Sequence, residues 1–132
     1  MFFAILVLTF SLGISFGLLI SPNILPDKNL AVLEIEADIE IDYGGENLQV
    51  FPNEIFWEGG SVLDLLKTLE RRHGIALEIR EFAEGEIFVE GINGVGNTKS
   101  SFWKFLVNGE ETQVEAEDYL VKDGDKISWR RT

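Results

Sequence analysis

The chain has 132 residues, with 11 basic and 23 acidic side chains, no cysteine and a formal net charge of −12. The acidic balance and the lack of a basic stripe exclude the usual electrostatic footprint of a nucleic-acid binder. Without cysteine there are no disulfides, no thiolate metal sites and no thiol nucleophile.

Phe2 to Ile20 contains no charged side chain, and the first one in the chain is Asp27. As a helix this run spans about 28 Å, close to the hydrocarbon thickness of ~30 Å. No Lys or Arg precedes it, and it is longer than the usual apolar core of an export signal, which favours an anchor that stays. Ser11, Gly13, Ser15 and Gly17 leave a cleaved signal peptide as the alternative. A buried core helix is disfavoured, because a helix apolar on every face has nowhere to hide in so small a domain. Residues 1–21 are therefore expected to be a transmembrane anchor or signal segment. The domain is then extracytoplasmic and membrane-anchored, or secreted after cleavage. Pro22 and Pro26 disfavour helix just before them, so residues 22–30 read as a linker. Residues 31–132, about one hundred, suffice for one small domain with a single core.

In that domain Leu33, Ile35, Ala37, Ile39 and Ile41 alternate with Glu34, Glu36, Asp38, Glu40 and Asp42, the period-two pattern of a half-buried strand. Its carboxylates read as a solvated face. After a turn at Tyr43-Gly-Gly, Leu48 to Trp57 forms a second extended segment, with Pro52 at an edge or bulge. Ser61 and Asp64 make a capping-box pair, and Val62, Leu65, Leu66 and Leu69 form one helical stripe. Gly74 is the expected left-handed stop, and His73, the only histidine, reads as a helix-end cation or polar cap. Ala76 to Phe82 and Ile87 to Ile92 are strands. Asn93 to Ser101 reads as a mobile glycine-rich loop without phosphate-loop spacing. Phe102 to Gly109 is a strand ending in the hairpin dipeptide Asn108-Gly109, and Glu110 to Val114 returns. Asp123-Gly124-Asp125 is turn chemistry, and Ile127 to Arg130 is the final strand, with no C-terminal anchor expected after it. This order predicts an α+β fold: a β-grasp-like mixed sheet with one main helix, preceded by the N-terminal transmembrane or signal helix.

No motif places a nucleophile beside a base, and the abundant carboxylates fall into no catalytic pair, so the domain is expected to be no enzyme. No metal site is expected either. Phe102 and Trp103 are neighbours on a strand and point to opposite faces, so one must leave the core. An outward aromatic beside a flexible polar loop makes a recognition surface. Tyr119 and Trp129 read as core aromatics.

Phe102-Trp103-Lys104-Phe105-Leu106-Val107-Asn108-Gly109, then Asp118-Tyr119, then Asp123-Gly124-Asp125-Lys126-Ile127, together with the helix start Gly60 to Leu66, resemble the transcobalamin C-terminal-like family. That family includes bacterial surface domains and the domain of the vitamin carriers that covers one face of cobalamin. The resemblance implies a β-grasp-like, non-catalytic ligand-binding module. It takes cobalamin, a corrinoid or another small ligand as candidate, and Asn93, Phe102, Trp103 and Phe105 as candidate ligand-binding residues. The sequence departs from the carriers in having no helical barrel to hold the other face of the ligand. A structural or adhesive module that meets another surface protein is the alternative.

Overall fold

Alternation does build the first strand of the computed structural model, which describes residues 32–132. Strand β1 (Glu34–Asp42) turns Ile35, Ala37, Ile39 and Ile41 into the core and its carboxylates outward. Gly44 and Gly45, both at positive φ, reverse the chain into β2 (Leu48–Trp57), which pairs antiparallel with β1. The register slips between Ala37 and Ile39, opposite Pro52 and Asn53. Asn53 takes a left-handed φ of 55° and donates its N–H to Asp38 Oδ1 at 2.7 Å. Pro52 thus sits at a bulge in an outer strand, where its missing N–H costs no ladder bond.

Helix α1 (Val62–His73) begins on the expected capping box. Ser61 Oγ accepts from the Asp64 N–H, and Asp64 Oδ2 accepts from the Ser61 N–H, both at 3.0 Å. Val62, Leu65, Leu66 and Leu69 are fully buried, each contributing about 1.5–3 kcal/mol of transfer free energy. Gly74 ends the helix in the left-handed conformation. His73 does more than cap. Its Nε2 lies 2.9 Å from Glu54 Oε1 and its ring packs on Phe51, while Arg72 reaches Glu54 Oε2 at 3.1 Å and donates to the Ile55 carbonyl. The end of α1 is thereby clamped to β2.

Six strands follow: β3 (Leu77–Glu81), β4 (Ile87–Ile92), β5 (Val95–Gly96), β6 (Trp103–Val107), β7 (Glu110–Glu111) and β8 (Lys126–Arg131). A mixed five-stranded sheet has the order β2-β1-β8-β6-β7, with β1 and β8 parallel at its centre. Among the described residues, one helix on a mostly β scaffold is the expected α+β arrangement. Two details differ from expectation. The strands form two sheets, because β3, β4 and β5 make a separate three-stranded one. The segment after Ile92 is no loose loop: Asn93 and Gly94, at φ 50° and 83°, form a two-residue hairpin turn that returns Val95 and Gly96 onto Ile92 and Gly91. The apolar run Phe2 to Ile20 and the linker 22–30 lie outside the described residues. Among the described residues no helix is long and apolar enough to cross a membrane.

Candidate functional site

The two sheets meet at Asn97. Its N–H donates to the Glu90 carbonyl at 2.8 Å and its Nδ2 to the Val89 carbonyl at 3.4 Å, while its Oδ1 accepts the Trp103 N–H at 2.9 Å. Trp103 Nε1 donates to the Val95 carbonyl at 2.7 Å, and Arg131 Nη2 to the Gly96 carbonyl at 2.6 Å. These bonds hold β4 and β5 against β6 and β8 at one end. Beyond them a cleft of about 430 Å³ opens, within the size range of small-molecule pockets.

Strand alternation sorts the predicted aromatics. Trp103 is 7% exposed and packs edge-on to Tyr43, whereas Phe102 is 52% exposed at the cleft. Phe105 is half-buried, with its ring 5.5 Å from Trp129 and 6.5 Å from Tyr119. Phe102, Trp103 and Phe105 all line the cleft, joined by Phe88 and Val114, two exposed apolar side chains. Phe88 continues the apolar surface to Phe82, edge to face at 5.1 Å.

Asn93 is not among these residues. It sits in the β4–β5 turn, donating from Nδ2 to the Tyr43 hydroxyl at 2.7 Å and accepting the Ala76 N–H at 2.8 Å. Tyr43 in turn donates to Gln49 Oε1 at 2.7 Å. Asn93 ties three segments together and does not line the aromatic cleft. Burial raises the Tyr43 phenol above its ordinary pKa, and the Asn93 hydrogen bond partly offsets this.

At the rim Lys104 Nζ lies 2.6 Å from Glu111 Oε2. That hydrogen bond, with the Lys104 charge, holds the Glu111 carboxyl below its ordinary range. The Asp123 and Asp125 carboxylates serve the fold. Asp123 Oδ1 accepts the Glu36 N–H at 2.8 Å, and the buried Asp125 accepts from Asn108 Nδ2, the Tyr119 hydroxyl and the Lys122 N–H. Among the described residues no three carboxylate or imidazole groups gather as a metal site would require. The cleft offers aromatic surface and a few charged rim groups.

Sequence reasoning missed Phe88, Val114 and Asn97. Phe88 is the outward member of an alternating strand and could have been found by asking what covers it. Asn97 gave no signal, because its role depends on two strands far apart in sequence.

No curated protein matches the chain. Haptocorrin, solved in complex with Cbi, is similar in fold at a TM-score of 0.65 and 18% identity, over 77% of this chain. The match takes in only 26% of haptocorrin, so the chain spans about a quarter of that protein. A protein from Ruminococcus gnavus ATCC 29149, for which metal binding has been suggested, is similar at a TM-score of 0.56 and 18% identity, over 74% of this chain and 96% of its own. Residues 59–132, from just before α1 through β8, match the family described as Domain of unknown function (DUF4430). The chain therefore belongs to the DUF4430 family, and its resemblance to a transcobalamin-like domain holds at the level of the fold.

Proposed function

We propose that the chain is a membrane-anchored, extracytoplasmic, non-catalytic module that binds a ligand in the cleft beside Phe102. Residues 1–21 are the anchor, 22–30 the linker and 31–132 the binding domain. The central parallel pair flanked by two hairpin arms supports reading its main sheet as a β-grasp. The observation that carries the reading is Phe102 itself: a large aromatic half in solvent, facing Phe88 and Val114 over a cavity, is surface kept open for contact. Its non-catalytic character is supported by His73, which is engaged by Glu54 and is not among the cleft residues. A corrinoid is the first ligand class to test, given the Cbi complex of the similar haptocorrin structure.

Calorimetry of the full-length chain against cobalamin, other corrinoids and cell-surface glycans tests this. Saturable heat that Phe102→Ser abolishes supports the cleft as the site. Heat that Phe102→Ser leaves unchanged refutes it. Protease treatment of intact cells, followed by fractionation, tests the anchor and its orientation. An adhesive or structural module is the second reading, favoured by the outer strand β2, which exposes Leu48 and Val50.

A further inference from the structure

We infer that the cleft takes an extended, basic polypeptide segment, which pairs as an added strand with the facing edges of β4 and β6. This rests on the reading of the cleft as the binding site and names the class of its ligand.

The backbone of both walls leads to it. In β6, the Asn108 N–H bonds the Lys126 carbonyl at 2.8 Å and the Thr132 N–H bonds the Phe102 carbonyl at 2.9 Å, which commits the even-numbered residues to β8. Antiparallel alternation turns the backbone groups of Trp103, Phe105 and Val107 the other way. Val107 pairs with Glu110 of β7, and the Trp103 N–H is taken by Asn97. Pairing with β7 then stops. The Thr112 hydroxyl donates to the Val114 carbonyl at 2.6 Å and accepts the Val114 N–H at 3.0 Å, curling the chain away. Phe105 is left with its N–H directed at the cleft, beyond the last β6–β7 pair of Leu106 with Glu111 and without a strand partner on that side among the described residues.

Strand β4 presents a matching edge. The Phe82 N–H bonds the Glu86 carbonyl at 2.8 Å, so Glu86 and Phe88 face β3, and the backbone groups of Ile87 and Val89 face the cleft. The Val89 carbonyl meets Asn97; Ile87 has no backbone partner on that side among the described residues. Two open strand edges flanking one cavity are a template for a third strand. One face of such a strand would meet the apolar floor of Leu63, Phe105, Ala116 and Trp129. The other would meet carboxylates. Glu111 and Glu115 line the cleft, Glu84 and Glu86 flank Phe88, and the one lining base, Lys104, is already paired with Glu111. Charge complementarity on a chain of net charge −12 therefore selects Lys or Arg on the partner's outward side chains.

The test is amide hydrogen exchange of the full-length chain, in non-ionic detergent, with a blocked peptide of alternating valine and lysine. The Ile87 and Phe105 amides are expected to slow at least about tenfold, while those of Phe88 and Lys104, already paired, stay unchanged. Added salt should weaken the effect, and a valine–glutamate peptide should not produce it. Protection that appears instead along β2, or equal binding by an N-methylated valine–lysine peptide that cannot pair, overturns the inference. If corrinoid or glycan calorimetry gives Phe102-dependent heat while the peptide does nothing, the peptide inference falls and the cleft reading stands. If neither ligand class binds, both fall.

Discussion

Asn108 and Asp125 hold each other across the sheet, Nδ2 to Oδ1 at 3.1 Å, from two segments that sequence reading assigns to separate turns. Asn108 also accepts the Lys126 N–H on its Oδ1 at 2.8 Å. With the Tyr119 hydroxyl and the Lys122 N–H also on Asp125, one buried carboxylate locks the β6–β7 turn to the start of β8. Asp125→Ala leaves these donors without their acceptor and should cost about 2–3 kcal/mol. A fall in Tm of about 10 °C or more in thermal denaturation would show it. Asp125→Asn, which keeps one acceptor oxygen, should cost less.

Gly60 is needed for closeness, not for left-handed backbone. A Cβ there would lie 2.8 Å from Trp57 Nε1 and closer still to the Phe56 ring, which is buried. Gly60→Ala should therefore strain the core by about 1–3 kcal/mol. Gly59→Ala offers the comparison, since its Cβ would meet nothing within 4 Å and its penalty comes from a φ of 95°. A Trp emission shift confined to the Gly60 variant would separate the two causes.

The strand neighbours Phe102 and Trp103 should respond oppositely to truncation. Phe102→Ser removes a half-exposed ring and should move Tm by no more than a few degrees. Trp103→Ala empties a buried site and orphans the Val95 carbonyl, costing about 3–5 kcal/mol. Denaturant titration of both variants checks the contrast.

Tyr43 gives a pH signature. Burial raises its folded-state pKa above the ordinary 10.0, so the neutral phenol stabilises the fold. That contribution is whole below the unfolded value and is lost as pH rises through the folded one. Ultraviolet titration of the phenols should show a late component that Tyr43→Phe removes. Asn93→Ala should move it later still, because the Asn93 donor favours the phenolate.

Much of this architecture could be read from the chain. Ile35, Ala37, Ile39 and Ile41 announce β1 by period alone, and Ser61, Asp64 and Gly74 mark both ends of α1. Asn108-Gly109 announces a hairpin, and the structure places both residues at positive φ. The same dipeptide at Asn93-Gly94 is obscured by the polar, glycine-rich stretch that follows, although Val95 and Gly96 do pair. Three of the four candidate ligand residues line the cleft, Trp103 and Phe105 from β6 and Phe102 from just before it. Asn93 fails to join them because its side chain is spent on Tyr43 and Ala76. The division into two sheets was not legible, since it depends on where the edges of β4 and β6 part, and no local period records that.

The parallel pairing of residues 38–42 with 126–130 has a consequence for biogenesis. The oldest strand of the domain waits for one of the youngest before its second edge is satisfied, and nearly the whole domain intervenes. An emerging chain must carry β1 and β2 as an unfinished ribbon until residue 130 follows, with the edge of β1 that β8 will take left open meanwhile. Chaperone demand during synthesis should therefore end abruptly, at the release of β8, rather than decline as each hairpin emerges.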